Sequence, residues 1–455
     1  MKYILNKMAM CCCTCLMLLT MLASCSDNHY VNVIPSNSTA LLSVDLSQAQ
    51  PTAMPSALSS ILGTTQVTDC GIDLKAKLYG FETIDGNFGL CARVKNADKL
   101  DDLIAAQEGK NGNGKKHLSA DVRFILIQQW LLAYNTDVLT VLGPVLPAAQ
   151  AEAERTVLKM FQQDEAMSIT TTPMFARIDT MQAPICLVAQ AQSLPEKFVA
   201  PFTLGAPKDA DASQIMLSAT MHIQDQCLHI NATPYSDNKR IDKALQQSLA
   251  TLRPITPTLV SAYDARSLSA LFLNVKGTAF LPILQQNSGL QVLLTGVNMA
   301  IDIDNILRSV DGDLCVSMPP SSTAFTPSAI QLTAKLGHSA WLKDVDYWKQ
   351  SCPQGTSITT VAADTYCYTA SASSQFFFGV TPTQFFISGP SLQQALGSCM
   401  PTQHPLPPTI AHAIVGQRMA MLLNVDALKH LDPTGLATSL TSTVNNVRYI
   451  VYTVR

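Results

Sequence analysis

Short apolar runs rich in β-forming residues recur along the chain, each followed by a more polar stretch of helical character. The first is Ala40-Leu41-Leu42-Ser43-Val44-Asp45-Leu46; close relatives return over 271–276 and 422–426, and a looser one over 185–190. Bounded runs of this length predict strands, and their followers predict repeated β-α units. Further strands are expected over 87–94, 120–127, 130–142 with a turn at Asn135-Thr136-Asp137, 214–223 and 226–233. Helices are expected over 54–62, 73–79, 98–107, 148–163, 195–203 and 239–250, the last capped by Ser236 or Asp237.

Beyond Pro254 the pattern starts again. Ile301-Asp302-Ile303 echoes Ile72-Asp73-Leu74, Leu314-Cys315 echoes Leu90-Cys91, and the stretch 381–390 parallels 135–144, each pair at a spacing of about 224 to 246 residues. Matches in one order at nearly one spacing predict a duplicated module. The fold class expected is α+β: two tandem modules of mostly antiparallel sheet with helices packed on one face. The first covers 33–255, with sub-units 33–165 and 170–255. The second covers 256–455, with sub-units 258–398 and 410–455, and lacks the closing strand and helix of the first. Its last strand is expected either to pair with an existing edge or to leave an open one.

Composition adds the cellular setting. A chain of 455 residues, 47% hydrophobic and 14% charged, is globular and large enough for more than one domain. Its formal charge of −3 becomes −5 without Lys2 and Lys7, which gives no overall field to draw in nucleic acid. Those two lysines, the apolar run from Met8 to Met21 and the small residues Leu22-Ala23-Ser24 form a leader over 1–24. Cys25 follows directly. The arrangement resembles a bacterial lipoprotein signal, which implies diacylation of Cys25 and lasting attachment to a membrane. By the same resemblance Ser26 favours the outer membrane, with the periplasmic or surface face undecided. The tether, 25–32, is short: about seven residues reach at most roughly 25 Å, so the folded body sits close to the bilayer.

Tyr30-Val31-Asn32-Val33-Ile34-Pro35 leading into the first strand, Gly71-Ile72-Asp73-Leu74 and the Asp85-Gly86-Asn87 turn, together with the lipid-attachment signal, resemble the Bacteroidales envelope lipoproteins of domain of unknown function 4836. The resemblance implies localisation and fold, and carries over no activity and no functional residues. Asp179-Thr180-Met181 resembles the O-glycosylation signal on exported proteins of that bacterial group, which makes Thr180 a candidate acceptor.

Other constellations imitate chemistry. Gly109 to Lys116 has the glycine and lysine spacing of a phosphate-binding loop but lacks the closing Ser or Thr, follows a helix and enters a strand; it reads as a flexible basic loop, with no nucleotide. Asp302, Asp304, Asp311 and Asp313 do not match a calcium loop and read as a helix start and a strand-entering turn. Cys399, His404 and His412 lie among prolines of a linker, and His222 and His229 flank a turn at Gln224-Asp225-Gln226; no metal or other cofactor is expected. Of eight cysteines beyond the leader, Cys91 and Cys315 read as matching buried thiols, and Cys352, Cys367 and Cys399 as the disulfide candidates. The function expected is a non-enzymatic binding or scaffolding protein of the cell envelope, held to the membrane through Cys25 and meeting an envelope protein or glycan. A structural, assembly or chaperone-like factor and a hydrolase of unrecognised type are the alternatives.

Overall fold

The computed structural model describes residues 29–48, 69–110, 113–194, 203–286, 301–320, 330–371, 374–389, 391–429 and 447–454. The leader, Cys25, most of the tether, the helix expected over 54–62 and, except for Thr203 in a turn, the helix expected over 195–203 lie outside the described residues. The first strands are β1 Ala40–Val44, β2 Leu78–Glu82, β3 Phe88–Arg93, β4 His117–Ser119, β5 Val122–Ile127, β6 Trp130–Tyr134, β7 Val138–Gly143, β8 Ile185–Gln190, β9 Met216–Gln224 and β10 Cys227–Tyr235. The remainder are β11 Ser269–Lys276, β12 Val310–Met318, β13 Gln331–Leu336, β14 Ser357–Ala362, β15 Thr365–Ser371, β16 Ser374–Val380, β17 Gln384–Ser388, β18 Met419–Asn424 and β19 Tyr449–Val454.

All of them join edge to edge in one open sheet. The first series lies side by side in the order β4-β5-β6-β7-β3-β2-β1-β8-β9-β10. The second lies in the order β14-β15-β16-β17-β13-β12-β11-β18-β19, so each strand takes the place of its counterpart in the first. The repeat in sequence is thus a repeat of topology, with one reassignment. Leu90-Cys91 lies on β3, but Leu314-Cys315 lies on β12, which occupies the place of β2. Asp311-Gly312-Asp313 is correspondingly inside β12, whereas Asp85-Gly86-Asn87 belongs to the β2–β3 turn, where Thr83 N donates to Asn87 O. An apolar dipeptide after Asp-Gly fits both places, so the sequence alone does not tell a β2-like strand from a β3-like one.

Where the series meet, β19 pairs with β10 in parallel, from Cys227 with Tyr449 to Asn231 with Thr453. The final strand therefore pairs with an existing edge. Other strand pairings among the described residues are antiparallel, including β10 with β9. One hydrophobic cluster crosses this seam, bringing Leu217, Ala219 and Ala232 of the first series together with Leu273, Leu314 and Tyr452 of the second. Burying a large apolar side chain contributes about 1.5–3 kcal/mol, so the seam is held by packing as well as by its ladder.

The α+β class is as expected, but helices flank both faces. α1 is Ala97–Ala105, α2 Gln150–Gln162 and α3 Pro173–Asp179. α2, α3 and a 3-10 helix over His29–Val33 cover the face to which Phe81, Phe124, Leu131 and Val188 point. α1 covers the other, where its Leu100 and Ile104 meet Ile125, Leu132 and Leu139. β7, covered on both sides, is buried along its whole length. The cause is legible in β5, where Phe124 and Leu126 serve one face and Ile125 and Ile127 the other.

Two local expectations also change. Residues 73–79 form a turn and then β2, because Asp73 N donates to Arg93 O and Ile72 bridges to Val94, which draws the segment along β3 instead of into a helix. The helix α4, Lys239–Thr251, is capped by Asn238, whose Oδ1 accepts from Arg240 N at 3.0 Å; Ser236 instead donates to Gln214 O.

Candidate functional site

Three pieces of backbone meet where the chain enters β2. The 3-10 helix His29–Val33 is fixed there by its own polar groups: Tyr30 Oη donates to Lys77 O at 2.7 Å, and Cys91 Sγ donates to Tyr30 O at 3.2 Å. Gly71 brings in the second piece. Its φ of +85° suits glycine, and a Cβ there would stand 2.4 Å from Asn96 O, so only glycine lets this backbone approach the start of α1. Its carbonyl takes Lys95 N and Asn96 N, and the chain then turns through Asp73 to Ala76. α3 supplies the third piece, ending at Asp179.

Between them lies a cleft of about 240 Å³ lined by Tyr30, Lys75, Ala76, Lys77, Tyr79, Arg93 and Asp179. Tyr79 packs between Tyr30 and Phe175, with ring centroids 6.2 and 6.1 Å away. Lys77 Nζ stands 4.0 Å from Asp179, Arg93 Nε stands 4.0 Å from Asp73, and Lys75 is exposed at the mouth. Contacts this long between half-exposed groups are worth little, so a better acceptor can displace them. Burial, with Tyr79 and Cys91 adding to it and Arg93 opposing, pushes the Tyr30 phenol up; burial does the same to Tyr79 and to the Cys91 thiol. All three stay protonated at neutral pH and are poor nucleophiles. The Tyr30 hydroxyl already gives its proton to the Lys77 carbonyl, so the side-chain donors that face solvent here are the ammonium groups of Lys75 and Lys77. The arrangement suits holding an anion more than transforming one.

Sequence motifs did not single out Tyr30, Lys75, Lys77 and Arg93. The only local signal is the Lys75-Ala76-Lys77 doublet before an apolar run, and its meaning depends on a contact with Tyr30 that the fold creates. Of the residues that were singled out, Cys25 lies outside the described residues. Thr180 is exposed at the end of α3, donates to Arg177 O at 2.7 Å, and adjoins Asp179 of the cleft.

The imitators resolve into structure. Lys116, in the basic loop, donates to Asp101 at 2.6 Å, where Tyr134 Oη also donates at 2.6 Å and Arg123 stands 3.2 Å away. Burial alone would raise the Asp101 carboxyl; the bonds from Lys116 and Tyr134 outweigh it and hold it low. Asp302 caps α7, Ile303–Arg308, accepting from Asn305 N at 2.9 Å, and Asp304 accepts from Gln285. Asp311 pairs with Arg253 at 2.8 Å, and Asp313 is buried against Thr256. The expected strand-entering turn is therefore strand interior. His222 and His229 do meet across the β9–β10 hairpin, stacked with centroids 4.9 Å apart and planes 10° from parallel. Among the described residues no group of three or more His, Cys, Asp or Glu is arranged to hold a metal ion. Cys352, Cys367 and Cys399 are free thiols, as are Cys70, Cys91, Cys186, Cys227 and Cys315. Burial pushes Cys227 up to about 12 and Cys399 up to about 11.

The fold and this cleft define an α+β protein built on one open sheet, with a small cleft lined by Tyr30, Lys75, Lys77, Arg93 and Asp179 on its surface. No described helix is long and apolar enough to cross a membrane. The chain belongs to the family described as Domain of unknown function (DUF4836), whose profile matches residues 57–395. No curated protein matches it. Among solved structures it is similar to TP0453, at 10% identity in each case. Crystal form I gives a TM-score of 0.30 over 49% of this chain and 84% of that one; form III gives 0.28 over 48% and 83%, and form IV 0.27 over 43% and 76%. Scores at that level carry no conclusion.

Proposed function

We propose that this protein is a lipid-anchored lipoprotein of a bacterial cell envelope, of the Bacteroidales type, that binds other envelope components and catalyses no reaction. The cleft beside Tyr30 carries this reading, because it gathers Lys75, Lys77, Arg93 and Asp179 at the surface while its phenols and thiol are held protonated. Acylation of Cys25, including palmitate, fixes the body at the outer membrane. An envelope protein or glycan is the partner, with no nucleic acid or nucleotide involved. The two strand series act as one scaffold built from modules over 33–255 and 256–455.

A second surface supports a binding role. Ile84, Phe88, Leu146 and Met167 are each more than half exposed. Ile84 and Phe88 flank the β2–β3 turn, Phe88 pairs with Gly143 three positions before Leu146, and Met167 O accepts from Ser36 N ahead of β1. All four therefore lie at the end of the first series opposite the cleft. The exposed hydroxyl of Thr180 is the O-glycan acceptor of this reading. Crosslinking in intact membranes followed by affinity isolation tests the proposal: a stoichiometric envelope partner is expected, and recovery of the protein alone overturns it. Intact mass of the same material should exceed the chain from Cys25 by acyl and glycan increments.

A further inference from the structure

We infer that two copies of this chain join through β14, edge to edge and antiparallel, about a two-fold axis perpendicular to the sheet. The pairing of β10 with β19 uses the inner edge of each series, so among the described residues the sheet keeps two outer strands, β4 and β14. They hold equivalent places in the two series and are built in opposite ways. β4 has three residues, His117-Leu118-Ser119, with Lys115 and Lys116 directly ahead of it. A very short strand with lysines beside it is how a sheet edge is guarded against further pairing. β14 has six residues, Ser357-Ile358-Thr359-Thr360-Val361-Ala362, without a proline, and the sequence carries no charged side chain from Gln350 to Ala363. Among the described residues its one strand partner is β15, which leaves the outward half of its amides and carbonyls without a ladder. The bulge between Thr360 and Ala362 sits at the β14–β15 turn, and Ser357 to Thr360 keep a regular register.

The occupant follows from the strand itself. Pairing β14 with the β4 of another copy would add chains without end, and three residues give such a contact little to hold. Pairing β14 with β14 closes after two copies. A register centred on Thr359, which is exposed, sets it against the same residue of the second copy and sets Ile358 against Thr360. Threonine opposite threonine is a favourable cross-strand pair, and no like charges are brought together along the strand. The template is already rigid: Ile358 is buried in the core, and the helix Val345–Gln350 packs over β14. Tyr347 on that helix is 69% exposed and Val361 on the strand 41%, which gives a second copy apolar surface to cover as well as a ladder to extend. The same edge-to-edge principle that joins the two series at β10 and β19 thus continues into a second molecule.

The test uses the full chain in detergent, with its oligomeric state read by analytical ultracentrifugation. The parent protein should sediment as a dimer at micromolar concentration. Thr359→Lys sets two ammonium groups against each other across the axis and should weaken dimerisation roughly tenfold or more, with the circular dichroism spectrum unchanged. Thr359→Val should keep the dimer, and so should Leu118→Lys on the other outer strand. With Thr359→Cys, a short bismaleimide should give a crosslink that peptide mapping assigns to position 359 in both chains. A parent protein that stays monomeric at every concentration overturns the inference, as does a dimer that Thr359→Lys leaves intact. A crosslink from position 359 to a different protein would assign the edge to a foreign strand and overturn the second copy.

Discussion

The two strand series share an order but not the segment that leads into their second strand. In the first, Gly71 to Lys77 bridges the end of β3 and then turns through Asp73 to Ala76 without forming a helix, and its lysines line the cleft. In the second, the equivalent segment coils into α7 and buries Ile303, Ile306 and Leu307 beside α6, Gly277–Gln286; a Cβ on Gly277 would overlap the Leu307 carbonyl. A sheet's register has little freedom, because a one-residue slip turns every side chain to the wrong face. The segments between strands are under no such constraint. A cleft opens where the segment is a turn that carries lysines, and a core fills where it is helical and apolar.

The strongest way to break the comparison is to cut the seam that makes one sheet of two series. Val451 lies mid-strand in β19, opposite Leu422 on β18 and His229 on β10. Val451→Pro removes a ladder donor and forces a proline between two partners, at a cost of about 3 kcal/mol or more. Urea unfolding should then split into two transitions, one for each series; a single transition at the original midpoint would show that the seam does not couple them.

A smaller effect separates the two versions of the lead-in segment. Gly71→Ala places a Cβ against Asn96 O in a left-handed backbone, which should cost about 1–3 kcal/mol and displace Lys75 and Lys77. The urea midpoint should fall, and the rates at which an amine-acylating reagent modifies Lys75 and Lys77 should change with it. Asp302→Ala, which removes the cap of α7, should cost about 1 kcal/mol and leave those rates unchanged.

The smallest effect is one of pH. Burial first, and then the neighbouring His222, lowers the His229 pKa below its usual value of 6.5, with Asp225 opposing. A depressed histidine binds its proton more readily when unfolded, so stability is held above the usual histidine value and lost as pH falls through the folded one. Amide protection in β9 and β10, taken relative to the intrinsic exchange rate at each pH, should therefore fall between about pH 7.5 and about pH 5.5, more than in β11 and β12. His222→Gln should flatten that difference.

Much of the scaffold was legible in the chain. The apolar runs at 40–46, 185–190, 271–276 and 422–426 sit on β1, β8, β11 and β18, in the order that the repeat requires. The helices expected over 98–107 and 148–163 are α1 and α2. The failures arose where tertiary contact overrode local preference. Residues 73–79 were drawn along β3, and a strand buried on both faces, such as β7, gives no alternation from which to count its layers. The cleft was harder to foresee. Tyr30, Lys77, Arg93 and Asp179 come from four separate stretches, and nothing in any one of them announces an anion site.

The pairing of β10 with β19 has a consequence for biosynthesis. Thr453 Oγ1 donates to Ile230 O across 223 residues of chain, one of the longest closures in the molecule. A ribosome delivers β10 long before its parallel neighbour, and loop closure of this length is slow. During that interval β10 presents a bare row of amides and carbonyls on its outer side, a template that a second nascent chain could copy. Any factor that keeps nascent chains apart then matters most during the period between translation of β10 and arrival of β19.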